Sequence, residues 1–158
     1  MEAFRAYPVV LEIRHRCGDR PQVYEFLQEL GLGFGNIDQP HVSYARGLTS
    51  RVTRALGYWR LHGRNAATWF QEDAGREARY DYLYRAEELH ETLTAVERIA
   101  RRARDTSLVT NNHVQGQAVV NALELRAQLR RDLVAVPPPL LTAYPALRAI
   151  ARPAPAEA

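Results

Sequence analysis

Apolar and polar positions alternate from Val9 to Arg14 (VVLEIR), the period of a strand, behind a proline at position 8. That alternation puts Val10, Glu12 and Arg14 on one face and Val9, Leu11 and Ile13 on the other. The period then becomes helical from Arg20 to Leu30, where Val23, Phe26, Leu27 and Leu30 share a face. Asp19 is placed to cap this helix, Pro21 suits its first turn and Gly31 stops it. Leu32 to Asp38 (LGFGNID) reads as a second strand, and Gln39 to Ala55, polar and without a clear period, as a long loop. Gly57 to His62 (GYWRLH) reads as a third strand closed by a turn at Gly63, with a loop running on to Tyr84. Leu89, Leu93, Val96, Ile99 and Ala100 recur at helical spacing among charges and predict a helix over Ala86 to Asp105. A fourth strand follows at Ser107 to Thr110. A last helix spans Gln115 to Asp132, carrying Ala118, Val119, Ala122, Leu123, Leu125 and Leu129.

Composition shifts at Val134, which divides the chain into a main unit over 1–133 and a proline- and alanine-rich tail over 134–158. In the tail Pro137, Pro138 and Pro139 are expected to be extended. Tyr144 to Ile150 is expected to dock as a short helix, and the end from Pro153 to be disordered. In the main unit, strands separated by helices or long loops imply parallel pairing in an α/β fold. Such sheets place chemistry at the carboxyl ends of their strands. All four predicted strands end in polar groups: Glu12, Arg14 and His15; Asn36 and Asp38; Arg60, His62, Arg64 and Asn65; Asn111, Asn112 and His113.

Composition narrows the chemistry. All 21 basic residues are arginine, so neither a Schiff-base lysine nor a phosphate-loop lysine is available. The net charge of +3 is too small to argue for nucleic-acid binding. Cys17 is the single cysteine, which excludes an internal disulfide or a cysteine metal cage and suits a reducing, cytoplasmic setting. No apolar run approaches the length needed to span a membrane.

The stretch from Tyr58 to Tyr84 is the densest in groups that bind or polarise a ligand. Arg60 and His62, two apart on a strand, face the same way. They fit an anion clamp beside a proton carrier, because a guanidinium fork matches phosphate or carboxylate and imidazole titrates near neutrality. A structural ion pair with Glu12 or Asp38 is the competing account. Asn111, Asn112 and His113 before a helix suit an anion as well as they suit capping, and Arg64 and Asn65 share that logic. A metal site of Glu12, Asp38, His62 and His113 is conceivable but lacks any tight ligand spacing. Trp69, Phe70, Tyr80, Tyr82 and Tyr84 form either a stacking surface for a base or sugar or the packing of a loop over the rim.

The segments VVLEIRHR, NIDQP, YWRLHGRN, RYDYLY and NNHVQGQAVVNALEL, in this order and spacing, resemble the YecE-like family, domain of unknown function 72. The resemblance runs from about Pro8 to Leu129 and implies a TIM-type (β/α) barrel of unestablished activity. Family members are longer, so it also implies that this chain corresponds to the C-terminal half of an eight-stranded barrel. A truncated chain is the favoured expectation. Association of two copies, or a separate chain supplying the other half, are the alternatives. The site expected on that fold has His62 as proton carrier and Glu12 or Asp38 as base or orienting carboxylate. Arg14 and Arg60 hold the anion, and Arg64, Asn65, Asn111, Asn112 and His113 complete the ligand contacts. The cofactor is left unknown. A non-catalytic binding module, an inactive remnant, and a metal-dependent isomerase or hydrolase of phosphorylated or sugar-like substrates are the alternative functions.

Overall fold

The computed structural model describes residues 6–40, 47–69, 71 and 75–153. Four parallel strands, β1 (Val10–Glu12), β2 (Gly33–Asp38), β3 (Leu56–Leu61) and β4 (Asp105–Thr110), lie side by side in chain order. Helix α1 (Pro21–Glu29) connects β1 to β2, and α4 (Ala86–Ala100) connects β3 to β4. Helix α5 (Gln117–Arg130) follows β4. The expected α/β class and parallel pairing are therefore present among the described residues.

The register sorts the side chains into two sets. Glu12 pairs with Gly35, Ile37 with Arg60, and Arg60 with Val109, so these project from one face of the sheet. Asn36 pairs with Trp59 and Trp59 with Leu108, while Asp38 pairs with Leu61, so these project from the other. The second face carries the main core: Trp59, Leu61, Tyr84, Leu89, Leu93, Val96, Ile99 and Leu125 are buried together under α4 and α5. A smaller cluster of Leu27, Leu32 and Phe34 fixes α1, with the Tyr24 ring edge-on to Phe34 at 5.0 Å.

Several boundaries differ from expectation, each for a physical reason. Helix α1 begins at Pro21 after an extended Arg20 and has no side-chain cap. Asp19 instead accepts from the Tyr24 hydroxyl and lies 3.8 Å from Arg51. Of the expected α1 face only Leu27 is buried, and Phe26 and Leu30 are exposed. Helix α4 ends at Ala100 rather than Asp105, because Asp105 and Thr106 are drawn into the ladder opposite Leu56 and Gly57. Helix α5 starts at Gln117, after a tight turn over Val114–Gly116 in which Gln115 and Gly116 take φ of 53° and 83°. It buries Val120, Asn121, Leu125 and Ala127, leaving the expected Val119 and Leu129 exposed.

The loop expected after Gly63 contains two short helices, α2 (Ala66–Trp69) and α3 (Gly75–Ala78). Residues 41–46 of the predicted long loop, Phe70 and the predicted disordered end over 154–158 lie outside the described residues. In the tail, Pro137 is extended as expected, but Pro138 and Pro139 open helix α6 (Pro138–Ala143), their fixed φ suiting a first turn. The segment expected as a docked helix forms a 3-10 turn over Pro145–Ala149, which buries Leu147.

Candidate functional site

Strand geometry alone gathers the site. The ladder continues one residue past β3 and β4: the His62 N–H donates to Asp38 O at 2.9 Å and the Asn111 N–H to Leu61 O at 2.7 Å. Both residues therefore keep the strand alternation, and their side chains fall on the face of Arg60 and Glu12. Gly63 then turns the chain away at φ 94°, a region that disfavours a side chain, and a Cβ there would lie 2.9 Å from Tyr82 Cβ.

Four side chains close into a ring. His62 Nε2 lies 3.0 Å from Glu12 Oε1, and His62 Nδ1 lies 3.1 Å from Asn111 Nδ2. Arg60 Nη2 donates to Asn111 Oδ1 at 2.8 Å, and Arg60 Nη1 to Glu12 Oε2 at 3.3 Å. Arg14 adds a bond from Nε to Glu12 Oε1 at 3.0 Å. The ring sets its own protonation pattern. Arginine can only donate, so Asn111 must turn its oxygen to Arg60 and its amide hydrogens to His62. In a neutral imidazole this leaves Nδ1 of His62 to accept and Nε2 to donate to the Glu12 carboxylate.

Burial of Glu12 pulls its pKa up, but the hydrogen bond and electrostatic attraction of His62, followed by those of Arg14, outweigh it and hold the carboxyl at about 2. The His62 side chain has no exposed surface, Glu12 keeps 19% exposure and Arg60 30%. Arg60 Nε is buried and has no hydrogen-bond partner among the described residues.

The other expected ligand residues stand elsewhere. Asp38 is one position off the parity of Arg60 and His62 and points to the helix side, where Arg64 Nε reaches both its oxygens at 3.0 Å. Arg64 also meets Glu88 and Glu91 of α4, each at 3.3 Å. Burial would lower the Arg64 pKa, but the bond and charge of Asp38 and the charge of Glu88 raise it, so this cation is fixed. Tyr82 is pushed up to about 12 by burial and by its 2.6 Å hydrogen bond to Glu88. Asn112 is fully buried on the same helix side and donates to Tyr82 O and Asn121 Oδ1, both at 2.8 Å. Asn65 donates to Ala78 O at 3.0 Å and Asp81 O at 3.2 Å.

The four residues considered for a metal do not converge. Glu12 and His62 meet, while Asp38 is engaged by Arg64 and His113 lies exposed beside the Tyr80 ring at 5.2 Å. Among the described residues no three His, Cys, Asp or Glu side chains form a group able to hold a metal ion. Asn121 was not singled out in the sequence, where it looks like a polar residue inside a helix. It is fully buried, accepts the Tyr84 N–H at 3.1 Å and donates to Tyr84 O at 3.2 Å, tying α5 to the loop before α4.

Comparison with known proteins adds family membership. The family model described as "Protein of unknown function DUF72" matches residues 1–144. The UPF0759 protein YunF of Bacillus subtilis is 30% identical over 129 residues, which are 75% of this chain and 45% of that protein. A DUF72 family protein from Thermotoga maritima superposes with a TM-score of 0.73 at 38% identity, covering 78% of this chain and 46% of the other. One from Enterococcus faecalis gives a TM-score of 0.75 at 26% identity, covering 86% and 51%. The chain thus spans about half the length of these relatives. It belongs to the DUF72 family.

Proposed function

We propose that this chain forms half of a TIM-type (β/α) barrel whose strand ends bind a small anion, a phosphate or carboxylate, between Arg14 and Arg60. The carrying observation is the charge of the ring: the two guanidiniums of Arg14 and Arg60 meet the single carboxylate of Glu12. The corner is therefore net positive and partly shielded from water, where a bidentate anion gains most. Arg14, with 48% of its side chain exposed, is free to swing from Glu12 to a ligand. Arg60 is held by Asn111 and Glu12 and keeps 30% of its side chain exposed.

Binding is favoured over turnover. A carboxyl held at about 2 stays ionised and is a weak base at neutral pH. His62, buried with both ring nitrogens engaged, exchanges protons with a ligand only through Glu12. Asp38, Arg64, Asn65 and Asn112 act in this reading as the frame that holds the rim, and His113 borders the site.

Exposed apolar side chains support the half-barrel reading. Phe26 and Leu30 of α1 and Leu11 of β1 are exposed at one flank of the sheet, and Val119 and Leu129 of α5 at the other. Beside β4, a groove of about 200 Å³ runs between Leu108, Thr110, Leu125 and Leu129. A second parallel β/α half fits both flanks and covers both outer strands.

Calorimetric titration with inorganic phosphate at low salt tests the site. Arg60→Met is expected to abolish binding and Arg14→Met to weaken it, and unchanged affinity in both removes the proposal. Light scattering tests the fold: a discrete complex that melts cooperatively is expected, and a cooperatively melting monomer contradicts it.

A further inference from the structure

The segment from Ala78 to Tyr82 is held in place by side chains from three other elements. Asn65 and Thr68 both donate to Ala78 O, at 3.0 and 2.9 Å, and Asn65 also reaches Asp81 O at 3.2 Å. Gln117 of α5 donates to Asp81 Oδ1 at 2.7 Å, and Asn112 to Tyr82 O at 2.8 Å. Fixing five consecutive residues in this way costs chain entropy, which these bonds must offset.

The result is to set the Tyr80 ring beside the Glu12–His62–Asn111–Arg60 ring. Tyr80 stands edge-on to Trp69 at 5.7 Å and 74°, tilts against His113 at 5.2 Å and 37°, and lies 6.4 Å from His62. Trp69 in turn lies 6.3 Å from His62. Tyr80 and Trp69 are only half-buried and His113 is exposed, so the aromatic group keeps open surface beside His62, which Glu12 ties to Arg14 and Arg60. An apolar aromatic shelf beside a few convergent polar groups is the usual make-up of a small-molecule site.

We propose that the anion site takes a ring-bearing anion: a phosphate or carboxylate carried on a flat-faced ring, aromatic or sugar, with the ring lying on Tyr80 and Trp69. The inference rests on the anion reading above and names its ligand class. Asn65, Thr68, Asn112 and Gln117 are then positioning residues for the shelf, which accounts for two asparagines that do not face the anion.

Titrating the chain with inorganic phosphate, phenyl phosphate and a hexose phosphate tests this. Phenyl phosphate is expected to bind about fivefold more tightly than inorganic phosphate, the size of one aromatic contact. The hexose phosphate tells a sugar face from an aromatic one. Trp59 is fully buried and Trp69 is not, so ring binding also changes tryptophan fluorescence where inorganic phosphate leaves it unchanged. Tyr80→Leu is expected to reduce phenyl phosphate to the affinity of inorganic phosphate without altering the latter, and Tyr80→Phe to keep the gain. Inorganic phosphate binding is the control for folding, and Trp69→Leu serves the same test if Tyr80→Leu fails it. If inorganic phosphate binds but the ring adds nothing, or Tyr80→Leu keeps the gain, the ring inference falls alone. If none of the three anions binds, the anion site falls with it.

Discussion

Replacing Glu12 with glutamine removes the charge at the centre of the ring. Glutamine keeps the shape and still accepts from His62 Nε2 and Arg14 Nε, but its amide nitrogen takes the place of the oxygen that accepts from Arg60 Nη1, so the change removes the charge and that one hydrogen bond. In the folded chain the Glu12 carboxyl is held at about 2 against an ordinary 4.5. A folded-state pKa below the unfolded one means the ionised form stabilises the fold. That contribution is complete above the unfolded value and is lost as pH falls from about 4.5 toward about 2. At full strength the gap corresponds to roughly 3 kcal/mol. Water reaches Glu12 at 19% exposure and Arg14 at 48%, and screens the pair. A realised contribution of about 2 kcal/mol is the working figure.

Urea unfolding of the wild type and Glu12→Gln at about pH 7, 5, 4 and 3 measures it directly. The other carboxylates titrate in both proteins and cancel in the difference. The variant is expected to be less stable by about 2 kcal/mol at neutral pH, with the offset shrinking steadily below about pH 4 as the wild type loses its advantage. An offset that stays constant down to about pH 3 refutes the linkage, because a purely steric cost does not titrate. No offset at neutral pH refutes the ring itself.

Arg64→Leu removes the guanidinium that meets Asp38, Glu88 and Glu91, and is expected to cost about 3 to 5 kcal/mol in the same unfolding assay. Because these contacts lie on the helix side, the protein that remains folded is expected to bind inorganic phosphate as the wild type does. Gly57→Ala places a methyl against Ile99 Cγ2 and 2.7 Å from Thr106 Oγ1, and is expected to lower stability by about 1 to 3 kcal/mol through overpacking between β3 and α4. A thermal melt of Gly57→Ala that matches the wild type contradicts that packing.

Strand period was the most legible feature of this sequence. It placed Arg60 and His62 on one side, and the structure joins both to Glu12 and Asn111. What it did not reveal is that four polar strand ends make two networks. Asp38 and Asn112 follow the same rule of alternation but with opposite parity, and so face the helices. Register was the missing quantity: a shift of one residue exchanges the faces, and no local pattern fixes pairing between β2 and β3. Helix faces failed differently. Apolar residues on α5 occur on more than one side, so composition alone could not say which side meets the sheet, while on α1 the shared face was legible but only Leu27 of it is buried. Asp19 looked like a cap and became a partner of Tyr24, a contact one turn along the chain that satisfies it equally well.

The same sorting explains where apolar surface stays exposed. Helix α4 packs on β3, β4 and α5 and buries Leu89, Leu93, Val96 and Ile99, with no large apolar side chain left outward. Helices α1 and α5 flank the outer strands of the order β1-β2-β3-β4, and it is they that expose Phe26, Leu30, Val119 and Leu129. In a parallel β/α array each helix packs on its own strands and on the next helix, so under the proposed half-barrel reading these four are where a further β/α unit would pack. Glu12 and Arg14 lie at the end of the outer strand β1, so a unit paired with β1 would also wall the proposed anion site. Affinity for inorganic phosphate is therefore expected to rise when the chain is titrated in its assembled state, which ties the two halves of the proposal to a single measurement.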